Sequence, residues 1–124
     1  MKVCTLSSFA CLLFLTTSSA LVAAQASYTI SDLGTLGGYS VSRGVNVAGQ
    51  VTGATGAGAK SEAFLYSNGS MTNLGTLGGT SGIGNAINTS GQVAGYSQNA
   101  SGTYRAFLSS GSNLLDIEIG RGVV

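Results

Sequence analysis

The sequence predicts an all-β repeat architecture: antiparallel units of three or four strands, arranged as part of a β-propeller-like ring or, alternatively, as an open β-solenoid. Three observations carry this. A Gly-rich unit recurs at a spacing of about 42 residues. No stretch keeps apolar residues at i, i+3, i+4 and i+7, the helical signature. Short apolar runs instead alternate with clusters of Gly, Asn and Ser, which read as strands broken by turns.

The repeat rests on three ordered matches. Asp32-Leu33-Gly34-Thr35-Leu36-Gly37-Gly38 returns as Asn73-Leu74-Gly75-Thr76-Leu77-Gly78-Gly79, an offset of 41 with one difference. Asn46-Val47-Ala48-Gly49-Gln50-Val51-Thr52-Gly53 returns as Asn88-Thr89-Ser90-Gly91-Gln92-Val93-Ala94-Gly95 at 42, and Ala63-Phe64-Leu65 as Ala106-Phe107-Leu108 at 43. Unit 1 therefore covers about 32–72 and unit 2 about 73–115. A degenerate start of a third unit follows over 116–124, where Glu118-Ile119-Gly120-Arg121-Gly122 no longer fits the pattern. Self-similarity at 40–50 residues is a property of propellers and solenoids, in which a single unit cannot bury its own apolar surface.

Ahead of the repeats, Lys2 precedes an uncharged run from Val3 to Ala24, closed by Ala24-Gln25-Ala26. This is the pattern of a cleaved signal peptide, residues 1–26, and it implies a secreted, extracellular or cell-surface protein. The strongly apolar part, Phe9 to Leu15, is too short for a membrane span, which needs about 20 apolar residues. Cys4 and Cys11 both fall within the leader, so the β-repeat domain, residues 27–124, holds no thiol for a disulfide or a metal. All 20 glycines lie after the leader. Their backbone entropy is a cost on folding that turns and close backbone approaches must offset.

Within each unit the strands fall in order. A weaker first strand is expected around Val45–Val47 and Ile83–Ile87. The next is expected at Gln50–Thr55 and Gln92–Ser97, then Glu62–Tyr66 and Tyr104–Leu108, and last Met71–Leu74 and Asn113–Ile117. Ser67-Asn68-Gly69-Ser70 carries the Asn-Gly pair of a two-residue hairpin, and Ser109-Ser110-Gly111-Ser112 stands in the same place in unit 2. Unbroken apolar stretches such as Ala63-Phe64-Leu65-Tyr66 point to sheets covered on both faces. A propeller needs four to eight such blades, so the chain would self-associate as a homo-oligomer, be a fragment of a longer array, or stack as an open coil.

These segments resemble the bacterial extracellular repeat family called HAF, and the likeness spans most of Tyr28 to Ile117. It is carried by the Gly-rich DLGTLGG segment, the Asn-x-x-Gly-Gln-Val-x-Gly segment and the Ala-Phe-Leu segment. The family is named for a His-Ala-Phe motif; here Glu62 and Arg105 stand in place of the His, while Ala63-Phe64 and Ala106-Phe107 are kept. The resemblance implies an extracellular β-repeat protein, often in longer arrays, and it implies no reaction.

The composition argues against chemistry. The chain has no His. Arg43, Lys60, Arg105 and Arg121 balance Asp32, Glu62, Asp116 and Glu118 after the leader, with no run of either sign to hold nucleic acid or an anionic membrane. Asp32 and Asn73 share one repeat position, which fits an Asx side chain capping a turn better than a catalytic carboxylate. Gly56 to Ser61 lacks the glycines of a P-loop and precedes a strand, and Gly82 to Ile87 fails the dinucleotide fingerprint at its third glycine. No cofactor or metal is expected. The Asn-x-Ser triplets at Asn68, Asn88 and Asn99 read as loop markers.

The expected function is a non-enzymatic repeat module that binds or scaffolds an extracellular ligand through inter-strand loops, chiefly Ala54–Ser61 and Gln98–Thr103. These hold matched positions with unlike sequences, as a variable face on a constant frame would. Tyr39, Lys60, Asn99 and Tyr104 are the candidate ligand-facing residues, with Tyr39 and Tyr104 placed close to loops and Tyr66 and Tyr96 read as strand packing. A glycan-binding, lectin-like oligomer is the alternative, since tyrosine rings stack on sugars. A secreted hydrolase fragment comes third, lacking nucleophile, base and metal ligands.

Overall fold

A computed structural model describes residues 25–117. The expected leader lies outside them except for Gln25 and Ala26, and so does most of the degenerate third unit. The described residues fall in two units, residues 25–30 and residues 31–117. The first is exposed and without regular structure.

The second unit contains no helix among its described residues. Its eight strands are β1 (Tyr39–Val45), β2 (Val51–Gly56), β3 (Glu62–Ser67), β4 (Ser70–Gly75), β5 (Gly78–Ile87), β6 (Val93–Asn99), β7 (Tyr104–Ser110) and β8 (Asn113–Asp116). They form two four-stranded antiparallel meanders, β1-β2-β3-β4 and β5-β6-β7-β8, in the same order. The described residues close neither a barrel nor a ring. Consecutive antiparallel strands need only short connections, and the turn residues supply them.

Strands 2 to 4 of each sheet lie where the apolar runs place them, within a residue or two. The first strands do not. β1 runs Tyr39–Val45 rather than around Val45–Val47, and β5 begins at Gly78, well before Ile83. The reason is polar: Asn46 and Asn88 end these strands by clamping the following turn. Asn46 Oδ1 accepts the amides of Ala48 and Gln50, both at 3.0 Å, and Asn88 Oδ1 accepts those of Ser90 and Gln92 at 3.0 and 2.9 Å. Glycine completes each turn with a left-handed backbone, φ +75° at Gly49 and +79° at Gly91. The β3–β4 hairpin turns on Asn68 and Gly69, φ +52° and +80°, the type I′ geometry in which Asn-Gly is favoured. The β7–β8 turn has its positive φ at Gly111 alone.

A second feature recurs in both sheets. Leu36 N–H donates to Thr55 Oγ1, which donates to the Tyr39 carbonyl; Leu77 N–H donates to Ser97 Oγ, which donates to the Ser81 carbonyl. Thr55 and Ser97 are buried, so each hydroxyl ties the Gly-rich segment to the first strand with its polar demand met. Asp32 and Asn73 cap the turns that open this segment, accepting from the amides of Gly34 and Gly75 at 2.9 and 2.7 Å.

The two sheets pack face to face. The core between them is Ala63, Leu74, Val93 and Phe107, with Leu65, Leu77, Ile87 and Leu114 around it. Glycine makes this approach close. A Cβ on Gly84 would overlap Thr52 Oγ1 and lie 2.8 Å from a Val93 methyl. The sheets are also joined by hydrogen bonds: Ser61 N–H to Thr80 O at 3.1 Å, Gly82 N–H to Ser61 O at 2.8 Å, and Asn46 Nδ2 to Asn88 O at 2.9 Å.

Candidate functional site

The antiparallel order collects the expected site residues at one end of the sheets. Here lie the start of β1, the β2–β3 loop, the β4–β5 link, the β6–β7 loop and the start of β7; the Asn46 and Asn88 turns and both two-residue hairpins occupy the other end. Tyr39, Lys60, Asn99 and Tyr104 all belong to the first group.

The two loops are shorter than the sequence indicates. Ala54 and Thr55 are buried within β2, so the first loop is Ala57–Ser61 and not Ala54–Ser61. Gln98 and Asn99 continue β6, so the second is Ala100–Thr103. Apolar and β-branched residues on a covered strand stay in the ladder until glycine frees the chain, at Gly56 in one case; in the other the strand runs on to Asn99.

The β6–β7 loop repeats the Asn-led turn of the opposite end. Asn99 Oδ1 accepts the amides of Ser101 and Thr103 at 3.1 and 3.0 Å and the Ser101 hydroxyl at 2.7 Å, while Gly102, φ +81°, donates to the Asn99 carbonyl. Asn99 therefore fixes the loop, and its oxygen is fully engaged. The shared motif Asn-x-x-Gly-x at 46, 88 and 99 is the sequence feature that accompanies all three turns, and sequence reasoning does not pick it out as a turn signal. The β2–β3 loop has no such clamp: Lys60 N–H reaches Ala57 O at 3.3 Å, and Gly58 takes φ +63°. Lys60 is exposed and makes no ion pair among the described residues.

Tyr39 and Tyr104 are the first residues of β1 and β7, both exposed. Tyr104 meets Tyr96 edge to face, ring centroids 5.7 Å apart and planes at 71°. Tyr96, read from the sequence as strand packing, is in a strand but on its open face, 37% exposed. Its counterpart one repeat earlier, Ala54, is 5% exposed. The sequence marks the difference as an aromatic in place of a small residue at one repeat position.

The described carboxylates serve structure. Asp32 caps its turn, Glu62 accepts from Asn73 Nδ2 at 2.6 Å, and Asp116 pairs with Arg105 at 3.3 Å. Glu62 and Arg105, at one repeat position, thus each bridge to the residue at the Asx position of the neighbouring strand. No group of three His, Cys, Asp or Glu able to hold a metal occurs among the described residues. An open hollow of about 280 Å³ lies elsewhere, against β1 and β2, lined by Leu33, Ser42, Arg43, Gly44, Val45 and Val51. No protein family, curated protein or solved structure matches this chain.

Proposed function

We propose that this chain is a secreted or cell-surface repeat module of HAF type that binds or scaffolds an extracellular ligand without catalysing a reaction. On this reading its two meanders are successive blades of a propeller-like stack. The observation that carries the proposal is the pairing of a constant frame with unlike loops: the Asn-led turn, the hydroxyl tie and the Asx cap recur from sheet to sheet, whereas Ala57–Ser61 and Ala100–Thr103 differ in sequence after their first Ala and only the second is clamped by an Asn side chain. Selection on a binding face varies loops over a fixed scaffold. The leader pattern, the balanced charge and the absence of His support the same reading.

The test is binding to a panel of insoluble cell-wall and matrix polymers, comparing the chain with Lys60→Ala and with a variant carrying Ala100–Thr103 in place of residues 57–60. Retention that falls with loop substitution and is unchanged by Val47→Ala, at the opposite end, supports the proposal. Retention indifferent to both loops refutes it, as does turnover of a hydrolase substrate that is lost in Asp32→Asn.

The exposed Tyr96–Tyr104 pair favours a second reading, a glycan-binding module. The chain has no Trp, so tyrosine dominates its emission. Titration with soluble oligosaccharides should then change the fluorescence of the chain and leave Tyr104→Ala unaffected; an unchanged spectrum across the panel removes this reading.

A further inference from the structure

The face of the first sheet that packs on the second has a counterpart in the second sheet, and no other described strand packs on that counterpart. Thr52 and Ala63 are both 0% exposed under β5–β8; Ala94 and Ala106, at the same repeat positions, are exposed. Ile83, Tyr96, Leu108 and Leu115 share this face of β5–β8, Tyr96 and Leu115 exposed and Ile83 and Leu108 half-buried. The pairings Ile83↔Tyr96, Tyr96↔Ala106 and Leu108↔Leu115 place these side chains on one side of the sheet. Exposed apolar residues gathered on one face mark an interaction site.

The first sheet is open in a complementary way at its β1 side only, since Phe64, the counterpart of Phe107 on the same face, is already 1% exposed. The face by which β5–β8 sits on its neighbour includes Gly84, Ile87 and Val93, all within the packed interface. Their counterparts Ser42, Val45 and Val51 line the open hollow, and Val45 is 69% exposed. The hydrogen bonding is left open in the same way. Among the described residues, Asn88 O accepts both Gly91 N–H and Asn46 Nδ2, whereas Asn46 O accepts Gly49 N–H alone; Asn46 Nδ2 donates to Gln50 Oε1 and to Asn88 O, whereas Asn88 Nδ2 donates only to Gln92 Oε1.

We propose that the Ala94–Ala106 face of β5–β8 docks a second copy of this chain, head to tail, against the Ser42–Val45–Val51 face of that copy's β1–β4 sheet. The contact repeats the one already made inside the chain, with Asn88 Nδ2 reaching the second copy's Asn46 carbonyl. Side-chain size is exchanged in a compensating way. Inside the chain Thr52 fits against Gly84, where no Cβ can stand. Between copies the same two positions are Ala94 and Ser42: the side that was large is small, and the side that was empty carries a hydroxymethyl group. A head-to-tail contact closes into a ring or continues as a filament. With two sheets per chain, a ring of propeller size takes about two to four copies. This proposal is independent of the loop-binding reading, since it uses neither loop, and it competes with the glycan reading, since docking would cover Tyr96 of the Tyr96–Tyr104 pair.

The experiment is analytical ultracentrifugation of the chain, recovered after export, across a micromolar concentration series. Wild type should sediment as a closed oligomer or a filament. Ala94→Arg and Ala106→Arg, which add a charge to an exposed position and should keep the wild-type circular dichroism spectrum, should sediment as monomers. Ala94→Thr should weaken association at least tenfold, and adding Ser42→Gly should restore it, because that pair recreates the Thr52–Gly84 fit. A monomeric wild type overturns the proposal and leaves the face to a different partner. Association undiminished in both arginine variants overturns it as well, and ligand binding through the loops can stand or fail in either case.

Discussion

Gly84→Ala tests whether the two sheets stack as closely as described, because the sign of its effect depends on that contact. Gly84 lies in β5 and does not have a positive φ, so an alanine there is not strained by the backbone. In an open strand the substitution would stabilise the protein by about 0.4–1 kcal/mol, through the reduced entropy of the unfolded chain. Here the new methyl would overlap Thr52 Oγ1 and come within 2.8 Å of a Val93 methyl. Neither neighbour can yield easily. Thr52 is 0% exposed and its hydroxyl donates to Phe64 O at 2.7 Å, and Val93 is 0% exposed in the inter-sheet core. The sheets must separate locally, an overpacking cost of about 1–3 kcal/mol. A domain of this size is stable by roughly 5–14 kcal/mol, and each kcal/mol moves its midpoint by about 4–8 °C. A loss of about 2 kcal/mol should therefore lower the melting temperature by about 8–16 °C in calorimetry or far-ultraviolet dichroism. Thr52→Ala in the same chain should recover part of the loss, giving a coupling of about 0.5–3 kcal/mol in the double-mutant cycle. A Gly84→Ala protein that melts at or above wild type would refute the close stacking.

Phe107→Ala empties the centre of the inter-sheet core and should cost about 3–5 kcal/mol, the largest single loss among these variants, read from the denaturant midpoint. Ser97→Ala leaves the Leu77 amide and the Ser81 carbonyl without their shared partner in a buried setting; about 1–3 kcal/mol should be lost, and the Leu77 amide should lose hydrogen-exchange protection. Gly69→Ala forces a side chain into φ +80° and should cost about 1–2 kcal/mol, while Asn68→Gly at the adjoining turn position should be close to neutral. Arg105→Ala removes an ion pair whose side chains are about a third exposed, so less than about 1 kcal/mol should be lost, with little further change in high salt.

Much of this fold can be read in the chain before any coordinates. The strands that hold Val51, Phe64, Val93 and Phe107 are bounded by Gly, Asn and Ser, and local composition is enough to place them. The Asn68-Gly69 hairpin follows from backbone sterics alone. The Asx role of Asp32 and Asn73 follows from their exchange at one repeat position, since the two residues share an acceptor oxygen and differ in charge. β1 and the beginning of β5 were harder to see, because Ser, Gly and Thr dominate them and neither alternation nor apolar run marks a strand there. Those residues become strands because β2 and β6 offer an edge for hydrogen bonding, a long-range cause that a local window does not contain.

The candidate site divides along the same line. The sequence picks out Tyr39, Lys60, Asn99 and Tyr104 through loops that differ between repeats, and antiparallel pairing does bring all four to one end of the sheets. It does not reveal that Asn99 is committed to holding its own loop, nor that Tyr96 stands beside Tyr104 on an open face. What the sequence by itself determined is the all-β class, the two-residue hairpins and most strand positions, because these depend on residue types within a few positions of one another. Only the tertiary structure decided which face of each sheet is covered. Ala63 and Ala106 are the same residue in the same motif, and one is buried while the other is exposed because the second sheet lies over the first and no further described sheet lies over the second.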